Sequence, residues 1–161
     1  MFLKIFILNL FVSLFLYAET GVVVSCKISP TGSFQAKTQD IKGDVVLKNN
    51  ELLAKNVVVN LKSLSSGMGL RDNHMKNKYL EVQKFPEAVL ELGKGKDGKG
   101  IGKLKIRGIT KEIKGTYSVH GNDVKADFPI KLSDYNISGI RYMGMGVKDI
   151  VNVSVTMPLK K

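Results

Sequence analysis

From residue 113 onward the chain alternates apolar and polar side chains almost without a lapse. Ile113, Gly115, Tyr117 and Val119 stand against Lys114, Thr116, Ser118 and His120. After a turn around Gly121-Asn122-Asp123, the residues Val124, Ala126, Phe128, Ile130 and Leu132 stand against Lys125, Asp127 and Lys131. A last stretch sets Val151, Val153, Val155 and Met157 against Asn152, Ser154 and Thr156. A period of two puts successive side chains on opposite faces of a strand, so each stretch is a strand of a sheet with one apolar face.

The earlier half repeats the pattern. Ile41, Gly43, Val45 and Leu47 oppose Lys42, Asp44 and Lys48. Beyond the turn Lys48-Asn49-Asn50-Glu51, the residues Val57, Val59 and Leu61 oppose Asn56, Asn60 and Lys62. With strands near 22–28, 86–93 and 101–108 the total is about eight. Most connections are short and turn-like, so neighbours pair antiparallel. One stretch is helical in character, with Asp72 or Asn73 as cap and Met75, Lys76 and Tyr79 leading to Leu80. Residues 133–146 are irregular and glycine-rich and read as a long loop over an opening. Eight such strands form a sandwich or a closed barrel, and closure removes exposed edges. A barrel of this size either fills with side chains or holds one ligand. The inward set includes the small residues Gly43, Ala88, Gly115 and Ala126, which favour a cavity or relieve crowding at bends.

The 161 residues suggest one domain, residues 19–161, behind a separate leader. Lys4, an apolar run from Ile5 to Leu16, and Tyr17-Ala18 before Glu19 make the pattern of a secretory signal peptide cleaved after Ala18. The run is short for a membrane-spanning helix. The chain carries 25 basic and 14 acidic side chains, a net charge of +11. Such a balance suits nucleic acid, anionic lipid or a phosphate-bearing ligand. The expected export and the absence of any nucleic-acid-binding pattern rank the first lowest. Cys26 is the single cysteine, which excludes an intrachain disulfide. Val23-Val24-Ser25-Cys26 weakly resembles a lipoprotein processing site, but Glu19 and several further residues separate it from the apolar run. Cys26 reads instead as a small strand residue.

Motifs for chemistry are scarce. Residues 93–99 match the start of a phosphate-binding loop, but Gly100 stands where Ser or Thr is needed and no helix follows, so a hairpin turn is the better reading. Residues 94–114 carry Lys94, Lys96, Lys99, Lys103, Lys105, Arg107, Lys111 and Lys114 against only Asp97 and Glu112. This is a solvated hairpin face or a surface for an anionic membrane or a diphosphate. His74 and His120 are the only histidines, and with Cys26 they make no metal-ligand spacing. No nucleophile elbow is present.

The densest unusual segment runs from Arg71 to Pro86. Arg71-Asp72, a spacer, His74-Met75, then Tyr79, Val82 and Lys84-Phe85-Pro86 resemble the signature of the YceI-like family of polyisoprenoid-binding periplasmic proteins. Gly102-Lys103-Leu104-Lys105-Ile106-Arg107-Gly108-Ile109-Thr110-Lys111 resembles that family's Gly-x-Leu-x-Ile-x-Gly-Val-Thr-Lys strand and turn. The likeness continues through the 133–146 loop and the closing strand and covers nearly all of residues 19–161. The first strand departs from the pattern, being short and starting almost at the cleavage site.

The resemblance implies an all-β, eight-stranded antiparallel lipocalin-like barrel with one short helix. It implies a long apolar tunnel for an isoprenoid or other amphiphilic lipid, no enzymatic step and no cofactor or metal. It also implies a periplasmic or secreted location. The tunnel wall expected from the alternation is Val45, Val59, Leu61, Leu90, Leu92, Ile113, Tyr117, Val119, Phe128, Ile130 and Leu132, with Tyr135, Tyr142 and Met143 lining or covering the mouth. Arg71 and Asp72, with His74, either clamp the helix to a neighbouring strand by charge-assisted hydrogen bonds or meet a head group. The rival reading is a structural or interaction module with a packed barrel and a basic face for a membrane or partner.

Overall fold

The structure, a computed structural model, describes residues 19–160, with Tyr142 described by its main chain alone. The expected signal peptide, residues 1–18, lies outside the described residues.

The strands are β1 (Gly21–Ser29), β2 (Ser33–Thr38), β3 (Ile41–Lys48), β4 (Glu51–Asn60), β5 (Glu87–Lys96), β6 (Lys99–Ile106), β7 (Ile109–His120), β8 (Asp123–Lys131), β9 (Arg141–Tyr142), β10 (Met145–Val147) and β11 (Ile150–Pro158). All eight expected strands are present. β2 and the short pair β9 and β10 are additions. The strand β2 leaves little alternation in the sequence because its inward residues are Phe34, Ala36 and Thr38, of which only one is large and apolar.

The hairpins form where turn chemistry permits. Asn49-Asn50, Asp97-Gly98 and Arg107-Gly108 all have positive φ at both positions. That geometry matches the right-handed twist of the flanking strands. The phosphate-loop look-alike is therefore the β5–β6 hairpin. The order of pairing is β3-β4-β5-β6-β7-β8-β11-β1, with β2 beyond β1 and β10-β9 at the far end of β1. Every pairing is antiparallel. The first strand is longer than expected and is paired on both sides. It joins β11, with Gly21 opposite Thr156, and β2, with Val22 opposite Thr38.

The two outer strands, β2 and β3, are consecutive in the chain, so the curled sheet closes through Gln39-Asp40. Asp40 fixes this junction. Its carbonyl accepts from Asn60 N at 3.0 Å, its carboxylate accepts from Asn60 Nδ2 at 2.7 Å, and its N–H donates to Thr38 Oγ1 at 3.0 Å. The free edge of β2 is covered by the segment after β4, where Lys37 and Ser65 exchange main-chain hydrogen bonds of 2.8 and 2.9 Å.

A helix crosses one end of the barrel. It begins as α1 (Gly69–Asn73) and widens into a π-helical stretch, His74–Tyr79. It starts earlier than expected and neither Asp72 nor Asn73 caps it; Met68 precedes it and provides no side-chain cap. The turns 49–50, 97–98 and 121–122 gather at the opposite end. There Val45, Val124 and Met157 pack together with Tyr117 and Leu159 and close the barrel. The expected 133–146 loop contains a short helical turn, Leu132–Tyr135, then β9 and β10.

Candidate functional site

Inside the barrel lies a cavity of about 300 Å³, bordered by side chains from every long strand, the helix and the 137–147 segment. Several inward residues, among them Val24, Leu90, Ile113, Tyr117 and Phe128, are only half-buried although they point to the interior. A packed core would cover them, so the interior is hollow. Of the expected wall, Val45, Val59, Leu61, Leu90, Ile113, Tyr117, Phe128, Ile130 and Leu132 border this space, as do the small residues Ala88, Gly115 and Ala126.

Leu92 does not, and the reason is a β-bulge. Leu90 pairs with Leu104 but Leu92 pairs with Lys103, so Glu91 is an extra residue in β5. One extra residue turns every later side chain to the other face. Gly93 and Gly95 therefore point inward and Leu92 points out beside Lys55 and Lys103. A second bulge sits at Asn56, whose φ is +47°, where Lys42 pairs with Val58 but Asp44 pairs with Lys55. At Gly43 a Cβ would meet Val57 Cα at 2.6 Å, so Gly43 relieves crowding at the bulge and does not border the cavity.

The bulge in β5 creates a feature absent from the expected wall. Gly95, Gly100 and Gly115 are direct lateral partners across β5, β6 and β7. The Tyr117 ring lies on this row: a Cβ on Gly95 would come within 2.5 Å of Tyr117 Cε1. The wall here is bare main chain, which is why Lys94, Ile101 and Thr116 border the cavity although they are exposed outside.

Three other expected wall or mouth residues fall elsewhere. Val119, 36% exposed, lies past the closed end beside the 121–122 turn. Tyr135 is 1% exposed and is a wedge in the barrel wall. The ladder between β7 and β8 stops at Thr116 and Asp127, and Tyr135 packs beside the seam with its hydroxyl donating to the Leu104 carbonyl at 3.4 Å. Burial pushes its phenol up to about 12. Met143 stands off the cavity on the tip between β9 and β10, 79% exposed. The side chain of Tyr142 lies outside the described residues.

The helix covers the open end. Arg71, Met75 and Tyr79, spaced by four, face the cavity with His74, and the wider turn brings Leu80 to the same side through the Leu80 N–H bond to the Met75 carbonyl at 2.9 Å. Arg71 lies over the Phe34 ring at 4.2 Å and donates to Ser66 Oγ at 2.7 Å and the Ser66 carbonyl at 3.0 Å. Asp72 accepts from Ser65 Oγ at 2.6 Å, Ser66 N at 2.7 Å and Ser66 Oγ. Burial draws the Asp72 carboxyl upward, but these serine bonds and Lys76 outweigh it and hold it below its usual range. The clamp thus grips the 65–66 segment, which in turn pairs with β2, and Asp72 does not border the cavity. Opposite the helix, Tyr79 Oη accepts from Arg141 N at 3.2 Å, tying the helix to β9 across the mouth.

The alternation also held unused information. Val22, Val24, Val153 and Val155 border the cavity in the regular pattern of β1 and β11, and Cys26 joins them. Burial pushes the Cys26 thiol up to about 11, an effect that Arg71 partly offsets. Ile137, Ile140, Arg141, Met145 and Val147 come from the loop and have no periodic signal. Arg107, counted with the basic face, is instead drawn inward: it pairs with Glu81 and donates to the carbonyls of Tyr135 and Asn136.

A family model described as YceI-like domain matches residues 18–159. A UPF0312 protein of Yersinia pestis (strain Pestoides F) is 36% identical over 98 residues, covering 52% of this chain and 51% of the relative. A UPF0312 protein of Yersinia enterocolitica is 34% identical over 98 residues with the same coverage, 52% and 51%. The chain spans about half the length of the curated relatives it matches. Among solved structures, BcnA of Burkholderia cenocepacia superposes with a TM-score of 0.63 at 16% identity, over 84% of this chain and 94% of that one. A polyisoprenoid-binding domain from Saccharophagus degradans, implicated in plant cell wall breakdown, gives 0.58 at 12% identity, over 85% and 91%. These likenesses establish a shared fold.

Proposed function

The chain belongs to the family of YceI-like domains, and from that premise we propose that it binds and carries an isoprenoid or similar amphiphilic lipid in its barrel, without catalysing a reaction. The observation that carries this reading is the hollow interior. Its wall is hydrocarbon from Val24 to Phe128, and the charged side chains Arg71 and Arg141 gather with His74 at the helix end. A wall of that kind recognises a tail by excluding water, at roughly 0.8 kcal/mol per buried CH₂. Two or three isoprene units are then enough to offset an association cost on the order of several kcal/mol. The description of the Saccharophagus degradans domain as polyisoprenoid-binding supports the same class of ligand.

The reading assigns Arg71 and Asp72 to holding the helix over the mouth, since both spend their hydrogen bonds on Ser65 and Ser66. It needs no cofactor or metal. It places the mature chain outside the cytoplasm with Glu19 as its first residue, and intact mass of exported protein tests that point: a lipid-modified species beginning at Cys26 would replace it.

Ligand binding is tested by native mass spectrometry of the purified protein, before and after incubation with geranylgeraniol, together with solvent extraction. The expected result is a copurified amphiphile, or uptake of one geranylgeraniol per chain. A protein that is empty as purified and takes up no prenol refutes the reading.

A further inference from the structure

The mouth carries apolar side chains that no part of the described chain covers. Met143, at 79%, is the most exposed large apolar side chain among the described residues. It sits at the tip of the β9–β10 hairpin, where Met143 and Gly144 both have positive φ and so make a tight projecting turn. Met145 on the same hairpin is 36% exposed and also borders the cavity. Met68 and Leu70, at the start of the helix, are 46% and 56% exposed and do not border it. The two elements that frame the opening therefore present flexible or branched apolar side chains to the outside.

Their surroundings are basic. Besides the clamped Arg71, residues 62–80 and 136–148 contain Lys62, Lys76, Lys78, Arg141 and Lys148 against a single acid, Asp72, and the acids just beyond these ranges, Glu81 and Asp149, are engaged by Arg107 and Ser133. The Asp72 carboxylate is already engaged by Ser65 and Ser66. Apolar tips inside a collar of Lys and Arg match the two layers of an anionic membrane surface, acyl chains beneath phosphates. An acidic protein would satisfy the collar but leave the Met143 tip with no stated counterpart. The basic face at 94–114 has the charge without the apolar tips, Ile101 excepted, and there Lys96 and Lys114 pair with Glu51 and Glu112 while Arg107 turns inward.

We propose that the helix end of the barrel docks on an anionic phospholipid bilayer, with Met143 and Leu70 entering the interface and the basic collar meeting the head groups. Resting on the lipid-carrier reading, docking in this orientation sets the mouth against the source of the ligand, so that a tail passes from bilayer to cavity with little exposure to water.

The test is cosedimentation of the full protein with vesicles of equal parts phosphatidylcholine and phosphatidylglycerol, and with phosphatidylcholine alone. Three proteins are compared: wild type, Leu70→Ser/Met143→Ser, and Lys96→Ser/Lys99→Ser/Lys103→Ser. Both variants change exposed side chains only, and circular dichroism confirms the fold. Wild type binds the anionic vesicles, more weakly in about 0.5 M salt than in about 0.1 M salt. The rim variant binds on the order of ten-fold more weakly, and the hairpin variant stays near wild type. Absence of wild-type binding, or a rim variant that binds like wild type while the hairpin variant loses binding, overturns the proposal. Lipid content is measured on the same preparations. A protein that carries no lipid yet docks through its rim refutes the carrier reading alone, and one that carries lipid yet ignores the rim substitutions refutes docking alone.

Discussion

Arg107 and Glu81 form an ion pair between the β6–β7 turn and the segment that follows the helix. The same guanidinium donates to the carbonyls of Tyr135 and Asn136, so one side chain joins three segments beneath the mouth. Beside it Phe85 packs under Gly108, where a Cβ would sit 3.5 Å from the ring. The two signature segments, 71–86 and 102–111, thus meet in space.

Replacing Arg107 with Ala leaves a carboxylate and two carbonyls without their donor. The expected loss is about 1–3 kcal/mol, because each unpaired group at a half-buried site keeps its desolvation cost. Arg107→Lys keeps the charge but not the fork, and falls between wild type and Arg107→Ala. Urea midpoints of the three proteins check the order.

Ala126 points into the cavity, with Tyr117 and Val155 as its lateral neighbours. Ala126→Trp places a ring in empty space. The apo protein is therefore expected to keep its thermal midpoint within a few degrees while copurified or added prenol falls sharply. A packed interior would instead be overfilled, at a cost of about 1–3 kcal/mol. Calorimetry without ligand and lipid extraction, both on this variant, separate the two.

Cys26 predicts an alkaline weakness. Its folded value, about 11, lies above the ordinary 9.0. The unfolded chain releases the proton first, so the stabilisation is complete below about pH 9 and is lost as pH rises toward 11. Cys26→Ala removes this contribution, so the fall in unfolding free energy between pH 8 and pH 11, read from urea titrations, becomes shallower by an amount on the order of 1–2 kcal/mol. The thiol of the native protein should also react slowly with iodoacetamide at neutral pH and quickly in urea. An equally steep alkaline fall in both proteins would assign the effect to other groups, Tyr135 first among them.

The strands were legible because a period of two survives in any register, and nine of the eleven expected strand-borne wall residues border the cavity for the same reason. Periodicity fails where one residue is inserted. Nothing about Glu91 in the sequence distinguishes it from a regular outward residue, yet it turns Leu92 out and Gly93 in. Tyr135 failed differently: an aromatic in a loop reads as a lid, whereas the early end of the β7–β8 ladder, visible only in three dimensions, gives it a place in the wall. Met145 reaches the cavity on β10, and Ile137 and Ile140 reach it from the irregular segment before β9, where the elements are too short to leave a pattern.

β1 draws the partners of its two long ladders from opposite ends of the chain, β2 a few residues away and β11 with Gly21 opposite Thr156. A chain delivered from its N-terminus presents Val22 and Val24 long before Val153 and Val155 are synthesised. The consecutive hairpins from β3 to β8 need only local search, whereas the β1–β11 ladder closes the longest loop in the barrel and gains from having the meander in place first. Until then one edge of β1 is open and apolar, the condition under which strands join the wrong neighbour. Closure of that last seam is therefore the step expected to govern how fast the protein reaches its native state and how concentrated a solution it can refold in without aggregating.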